Sequence, residues 1–334
     1  MGVQIPITQT FRLPDGREVI METGKLAAQA HGSAMIRLGD TMLLATVVSN
    51  KEAKEGQPFF PLSVDYQEKF ASVGRVPGNF FRRESKLSDY EVLISRLVDR
   101  AVRPLFPDGY MNETQIVINL ISADKDIMPD ALAALAASTA LSVSDIPWAG
   151  PISEVRVARI DGQFVVNPGR EALATADMDI IIAATIKDIM MVEGEANECS
   201  EHDLIEAIRI GHDAIKVQCQ AQLDLAQKVG VKATQKRVLP EAPSDDDLKK
   251  VIDQFSRQRI LDISKGALDK SVRKEQFDAI KKELVAKLTE EQGEEYMKEK
   301  ASLLDMYYEK LKKDVIRNFV IDTGKRIDGR NTNE

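Results

Sequence analysis

"PDALAALAASTALSVS", residues 129–144, decides how the rest of the chain is read. A proline at the first position suits a helix start, because the amide it lacks would have no partner there. The run that follows is almost entirely small or aliphatic, so no face of it is suited to water, and the stretch reads as a central buried helix packed closely on a sheet. Strands therefore have to lie on either side. Upstream, "QIVINLIS" (115–122) is nearly continuously apolar, as a strand covered on both faces must be. Downstream, "SEVRVARIDGQFVVNP" (153–168) places an Asp161-Gly162 turn between apolar runs, and "MDIIIAATIKDIMMVEGEA" (178–196) reads as another strand pair. "SEHDLIEAIRIGHDAIKVQCQAQLDLAQKVG" (200–230) has helical periodicity, with Ser200 to cap it and Gly230 to end it.

Further out, "RLPDGREVIMETG" (12–24) and "SAMIRLGDTMLLATVVS" (33–49) are hairpins about Asp15-Gly16 and Gly39-Asp40. "FFPLSVDYQEKF" (59–70) is a further strand, followed by a Gly- and Pro-containing loop over 71–87. Ser88 and Glu91 have the spacing of a capping box. In the helix they open, Leu93, Ile94, Leu97, Val98, Ala101 and Val102 form one apolar face; Arg96, Arg100 and Arg103 share another. Pro104 closes the element. Strands, helix, strand, helix, strands, helix predict a mixed α/β domain over 1–230 rather than a doubly wound one. The proline-containing stretch 231–244, just before the acidic run 245–247, reads as a linker. Residues 245–320, dense in Lys and Glu at helical spacing, predict an all-helical domain of three or four helices. At the end, "RIDGR" (326–330) repeats the Asp-Gly-Arg turn of "RLPDGR" (12–17), so 321–334 reads as the start of a second copy of the first domain.

The 334 residues carry a formal charge of −8, which argues against nonspecific coating of nucleic acid. The average conceals an island: residues 69–103 hold eight basic and four acidic side chains. Within it, "GNFFRRESK" (78–86) sets Phe80 and Phe81 beside Arg82 and Arg83. Rings can stack on bases while guanidinium groups neutralise phosphates, although a loop with tucked aromatics and solvated arginines explains the same residues. Two cysteines, Cys199 and Cys219, imply no disulfide framework and fit a reducing cytoplasm. No apolar run is long enough to span a bilayer, and the N-terminus lacks the character of a signal peptide.

Dedicated chemistry is scarce. Neither common Gly-rich phosphate loop occurs. Cys199 and His202 have C-x-x-H spacing without a second ligand pair, so they read as ordinary residues of a helix start. Asp124, Asp126 and Asp130, and separately Asp177 with Asp179, could hold a hard cation if they converged; capping and loop-ending roles account for them as well.

The stretch 59–107, with "FFRRE" followed by "RLVDRAVRPLFP", closely resembles the first RNase PH-like core of bacterial polynucleotide phosphorylase, and the resemblance continues through 129–168 and the helical domain. It implies an RNase PH-like α/β core of mixed sheet and helices (ribosomal protein S5 domain 2-like), with the terminal "RIDGR" opening a second such core. It also implies phosphorolysis of single-stranded RNA from the 3′ end to nucleoside diphosphates, magnesium and inorganic phosphate as requirements, and a homotrimeric ring around a channel. The loop with Phe80, Phe81, Arg82 and Arg83 matches the family's constriction loop, and Arg96, Arg100 and Arg103 are expected to extend it as RNA-binding residues.

This chain departs from the catalytic pattern. Pro129, Asp130 and Ala131 stand where a serine-rich phosphate turn is expected; Ile181 replaces a lysine and Leu173 an aspartate of the metal site. No catalytic or metal-binding residue is therefore expected here, and magnesium and phosphate belong to the second core. The reading is an RNA-guiding half of a phosphorolytic exoribonuclease, inactive by itself, in which the helical unit contributes more to stability or assembly than to RNA contact. The alternative is a self-standing RNA-binding or ring-scaffold protein. A kinase-like α/β domain is disfavoured by the missing phosphate loop.

Overall fold

The computed structural model describes residues 5–54, 57, 59–78, 84, 86–238 and 244–334. The chain divides into two compact units, residues 1–239 and 240–334. In the first, strands β1 (Ile7–Arg12), β2 (Glu18–Thr23), β3 (Gly32–Leu38), β4 (Thr41–Ser49), β5 (Leu62–Glu68) and β6 (Thr114–Ser122) form one sheet in the order β1-β2-β3-β4-β6-β5. Only β5 and β6 run parallel, and the helix α1 (Asp89–Val102) lies between them in sequence and packs on β5. A second, antiparallel sheet, β10-β9-β7-β8, comprises β7 (Ser153–Ile160), β8 (Gln163–Val166), β9 (Met178–Ala184) and β10 (Ile189–Ala196).

The helix α2 (Asp130–Ser142) contacts β3 and β4 of one sheet and β7 of the other, and every one of its residues is buried. Its alanines allow this: at Gly32 of β3 even a methyl group would collide with the carbonyl oxygen of Ala140. Its few polar residues are satisfied internally. Ser138 Oγ donates to Gln222 Oε1 (2.6 Å) and accepts from the Ile152 amide (3.0 Å), while Thr139 donates to the Leu135 carbonyl (2.7 Å). Such pairing is what lets hydroxyls sit in a core. Gln222 belongs to α4 (Glu201–Val229), capped by Ser200, which packs on β7, β9 and β1. The short helices α3 (Arg170–Leu173) and α5 (Val231–Thr234) complete the unit.

Two details differ from the sequence expectation. Leu93, counted with the apolar face of α1, is 47% exposed. Residues 231–238, expected as linker, are anchored on the first unit. Lys236 Nζ donates to the carbonyls of Ser142 (3.2 Å) and Ser144 (2.6 Å), closing the end of α2 where unpaired carbonyls attract a cation. Arg237 pairs with Asp145 (2.6 Å) and donates to the Ser49 carbonyl (3.2 Å).

In the second unit three helices, α6 (Asp246–Lys265), α7 (Lys270–Gln292) and α8 (Glu294–Thr323), enclose a core that includes Ile252, Ile260, Leu284, Leu304 and Tyr308. After α8 the Asp-Gly-Arg turn reproduces the first hairpin bond for bond. Leu13 donates to the Arg17 carbonyl at 2.9 Å and Arg326 to that of Arg330 at 2.8 Å; Gly16 donates back to Leu13 and Gly329 to Arg326. Asp15 accepts from Arg17, and Asp328 from Arg330. Gly16 and Gly329 have φ of 89° and 91°, a conformation that side chains resist. Arg12 pairs with Glu18 across β1 and β2, and Lys325 bridges Asn331 in the same sense.

Candidate functional site

The four loop residues expected to meet RNA, Phe80, Phe81, Arg82 and Arg83, lie outside the described residues. Their flank is anchored: Glu84 accepts the Phe70 amide on its carboxylate (3.0 Å) and the Gln67 side-chain amide on its carbonyl. The helix that follows starts as the sequence predicts. Ser88 Oγ accepts the Glu91 amide (3.2 Å), and Glu91 accepts the Ser88 amide (2.6 Å). Glu91 also takes the Glu68 amide (2.8 Å), tying α1 to the end of β5.

The three helix arginines have different surroundings. Arg103 is committed to the fold: it donates twice to Asp99 (2.7 and 3.0 Å) and to the carbonyls of Phe60 (3.0 Å) and Leu62 (3.1 Å), with its guanidinium 5.6 Å from the Phe60 ring centre. Arg100 pairs with Glu193 of β10. Arg96 is exposed, has no ion-pair partner among the described residues, and lines a small groove with Val92, Leu93 and Arg100. Spacing put all three on one face, but a face says nothing of which neighbours await each guanidinium.

A second constellation sits where α2 begins. Arg156 of β7 reaches two carboxylates, Asp130 at the first position of α2 and Asp179 of β9 (2.5 Å). Asp130 is 1% exposed and also accepts the Ala131 amide (2.8 Å). Burial works against the Arg156 charge, and the two carboxylates outweigh it, holding the guanidinium above its ordinary pKa. Three residues on, Arg159 takes Asp177 with two bonds of 2.8 Å and Asp203 at 2.7 Å; the hydrogen bonds to Arg159 hold Asp177 below the usual carboxylate range. Beside Arg156 on the same strand, Glu154 is fully buried and neither carboxylate oxygen has a hydrogen-bond partner among the described residues. Burial, with the Asp130 charge adding to it, pushes its pKa up to about 8, so at neutral pH it is held as the uncharged acid.

These contacts test whether the residues fit magnesium or phosphate, and they do not. The guanidinium of Arg156 already joins the two carboxylates that a cation would need, Ile181 is buried in the core, and among the described residues no three His, Cys, Asp or Glu side chains are placed to share a metal ion. An anion at the start of α2 would meet the Asp130 carboxylate. Asp124 is occupied in its own loop, accepting the Asp126 amide (2.8 Å), and does not join Asp130. Cys199 is a free thiol 3.2 Å from Arg159, and His202 is exposed. Sequence reasoning missed the two arginines. The available signal was "EVRVARI", a strand bound for the core that carries charges needing partners.

The sequence defines a chain of the 3′ exoribonuclease type. Residues 15–147 match the model of domain 1 of the 3′ exoribonuclease family, 150–214 match domain 2, and 247–331 match the family described as polyribonucleotide nucleotidyltransferase, RNA binding domain. The chain belongs to the 3′ exoribonuclease family and corresponds within it to the N-terminal half of the polyribonucleotide nucleotidyltransferases. The enzymes of that name from Phocaeicola vulgatus and Bacteroides fragilis are each 52% identical to it over 98% of this chain and 46% of their own length; that from Cytophaga hutchinsonii is 50% identical over 97% and 44%. The chain thus spans less than half the length of these relatives. A solved structure, the Archaeoglobus fulgidus exosome with RNA bound to the active site, superposes with a TM-score of 0.47 and 17% identity over 61% of this chain and 90% of that one. The description of the third family runs against the expectation that the helical unit makes little RNA contact.

Proposed function

We propose that this chain is the RNA-guiding, non-catalytic half of a phosphate-dependent 3′ exoribonuclease, which degrades single-stranded RNA to nucleoside diphosphates and runs reversibly as a polymerase. The observation that carries the non-catalytic part is Arg156: it holds Asp130 and Asp179 together at the position where phosphate and metal groups would be needed. The guiding part rests on the Phe80–Arg83 loop and on the exposed Arg96, with stacking and phosphate neutralisation as the recognition chemistry. The helical unit joins this role through the family description of its segment. A homotrimeric ring in the cytoplasm is part of the same proposal; its support is the family, the two free cysteines, and the lack of any helix among the described residues long and apolar enough to cross a membrane.

Incubating the purified chain with oligoadenylate, phosphate and magnesium is expected to release no ADP while the oligonucleotide still binds. Phosphate-dependent ADP release would overturn the non-catalytic reading, and absence of binding would overturn the guiding one.

A further inference from the structure

A cleft of about 770 Å³ opens in the first unit between the turn Phe70–Val73, the start of α1 and the loop that leads into α2. Five cations line it: Lys69, Arg75, Lys86, Lys125 and Arg170. None of them has an ion-pair partner among the described residues, and Lys69 has only the neutral Gln67 side chain, at 2.5 Å. Four acids line it too, but three accept hydrogen bonds from the protein itself. Glu68 accepts the Tyr66 hydroxyl (3.0 Å), Glu91 the amides of Ser88 and Glu68, and Asp124 the Asp126 amide. The fourth, Asp89, sits in the first turn of α1, where the helix end offsets its charge. Formal charges nearly balance, then, while the groups free to bind are the cations.

Their arrangement selects the ligand. A small anion is held by buried donors converging on one point. Here Arg75, Lys86, Lys125 and Arg170 are exposed and come from separate segments around the opening, with Phe70 and the 56%-exposed Val73 supplying apolar surface between them. Distributed cations over apolar surface suit a flexible polyanion with stackable groups. Lys86 also follows Arg83 by only three residues, so the cleft continues a basic path in the chain itself. We propose that this cleft binds the sugar-phosphate backbone of single-stranded RNA, as a lateral extension of the loop path; the inference rests on the RNA-guiding reading above.

The test measures binding of a fluorescent oligoadenylate of roughly 20 nucleotides across a salt series, that length filling at least one single-strand site. It compares the unaltered chain with K86Q/K125Q/R170Q and, separately, with R82A/R83A. The triple variant is expected to weaken binding about tenfold and to flatten the salt slope by about 2, at roughly 0.7 for each phosphate no longer neutralised. K125Q alone, at an exposed loop position, should flatten it by about a third as much, a measure that survives if the triple variant folds poorly. Unchanged affinity and slope in the triple variant, with both reduced in R82A/R83A, would sink the cleft and leave the guiding reading intact. No effect in either variant would overturn both. Inorganic tripolyphosphate competing as tightly as the oligonucleotide would make the cleft a small-anion site and overturn the proposal.

Discussion

Glu154 offers a measurement that isolates one carboxyl group in the core. Its side chain is inaccessible to water, its oxygens are unpartnered, and its pKa is raised from 4.5 to about 8 by burial and by the neighbouring Asp130 carboxylate, against the opposing pull of Arg156. Keeping the ionised form in the fold therefore costs about 5 kcal/mol relative to the unfolded chain. The sign follows from which state holds the proton. Below pH 4.5 both states carry it and the contribution to stability is complete. Between 4.5 and about 8 the unfolded chain releases the proton and the folded one does not, so this contribution falls by about 1.4 kcal/mol per pH unit. Above about 8 the slope disappears.

E154Q removes the titration while keeping the shape. Trp148, the only tryptophan, is buried in the first unit with its indole N–H on the Val102 carbonyl (3.0 Å), so its fluorescence follows unfolding of that unit. Urea unfolding read this way at half-unit steps from pH 5 to 9 should give two stability curves whose separation changes with pH. The variant gains on the unaltered protein as pH rises, by up to about 4 kcal/mol across that window. Any fixed offset between amide and acid adds equally at every pH and leaves this change visible. Parallel curves would refute the reasoning, because they would mean that Glu154 ionises in the fold as it does in water.

Arg103→Ala should lower the stability of the first unit by about 2–3 kcal/mol, since it orphans Asp99 and two carbonyls, and leave RNA affinity unchanged; Arg96→Ala should do the opposite, weakening oligonucleotide binding with no shift in the urea midpoint. For the helical unit, removing residues 240–334 should weaken oligoadenylate binding and flatten its salt dependence if the family description applies to this chain. Unchanged binding after that removal would restore a purely structural role for the three helices.

What the sequence disclosed was local. Turns and caps depend on residues a few places apart, so Asp161-Gly162, the Ser88–Glu91 box and the buried alanine-rich helix could be read directly, and each stands where the spacing puts it. The strand order could not be read, because β5 joins β6 in parallel across a helix and nothing in either strand announces its neighbour. The same limit governed the charged residues. Arg96, Arg100 and Arg103 are equivalent by periodicity and different by environment: Asp99 and the Phe60 carbonyl reach Arg103 from helix and loop, Glu193 reaches Arg100 from the sheet, and no acid among the described residues reaches Arg96. Arg156 and Asp130 are 26 residues apart, and their pairing exists only once β7 has been laid under α2.

That pairing gives the strongest physical support for the proposed separation of guidance from chemistry in this chain. Asp130 and Asp179 share one guanidinium, and Glu154 beside them stays neutral, so the cluster carries a single uncompensated negative charge in a nearly dry place. A divalent cation entering there would have to expel Arg156, and the freed guanidinium, 8% exposed and with no other acid paired to it among the described residues, would be left without a counter-charge. Breaking a buried pair in this way costs about 3–5 kcal/mol before any metal–ligand bond forms. The family resemblance implies metal-site groups where Ile181 and Leu173 stand; Arg156 goes further, because it supplies the positive charge that the neighbouring carboxylates would otherwise seek from an ion.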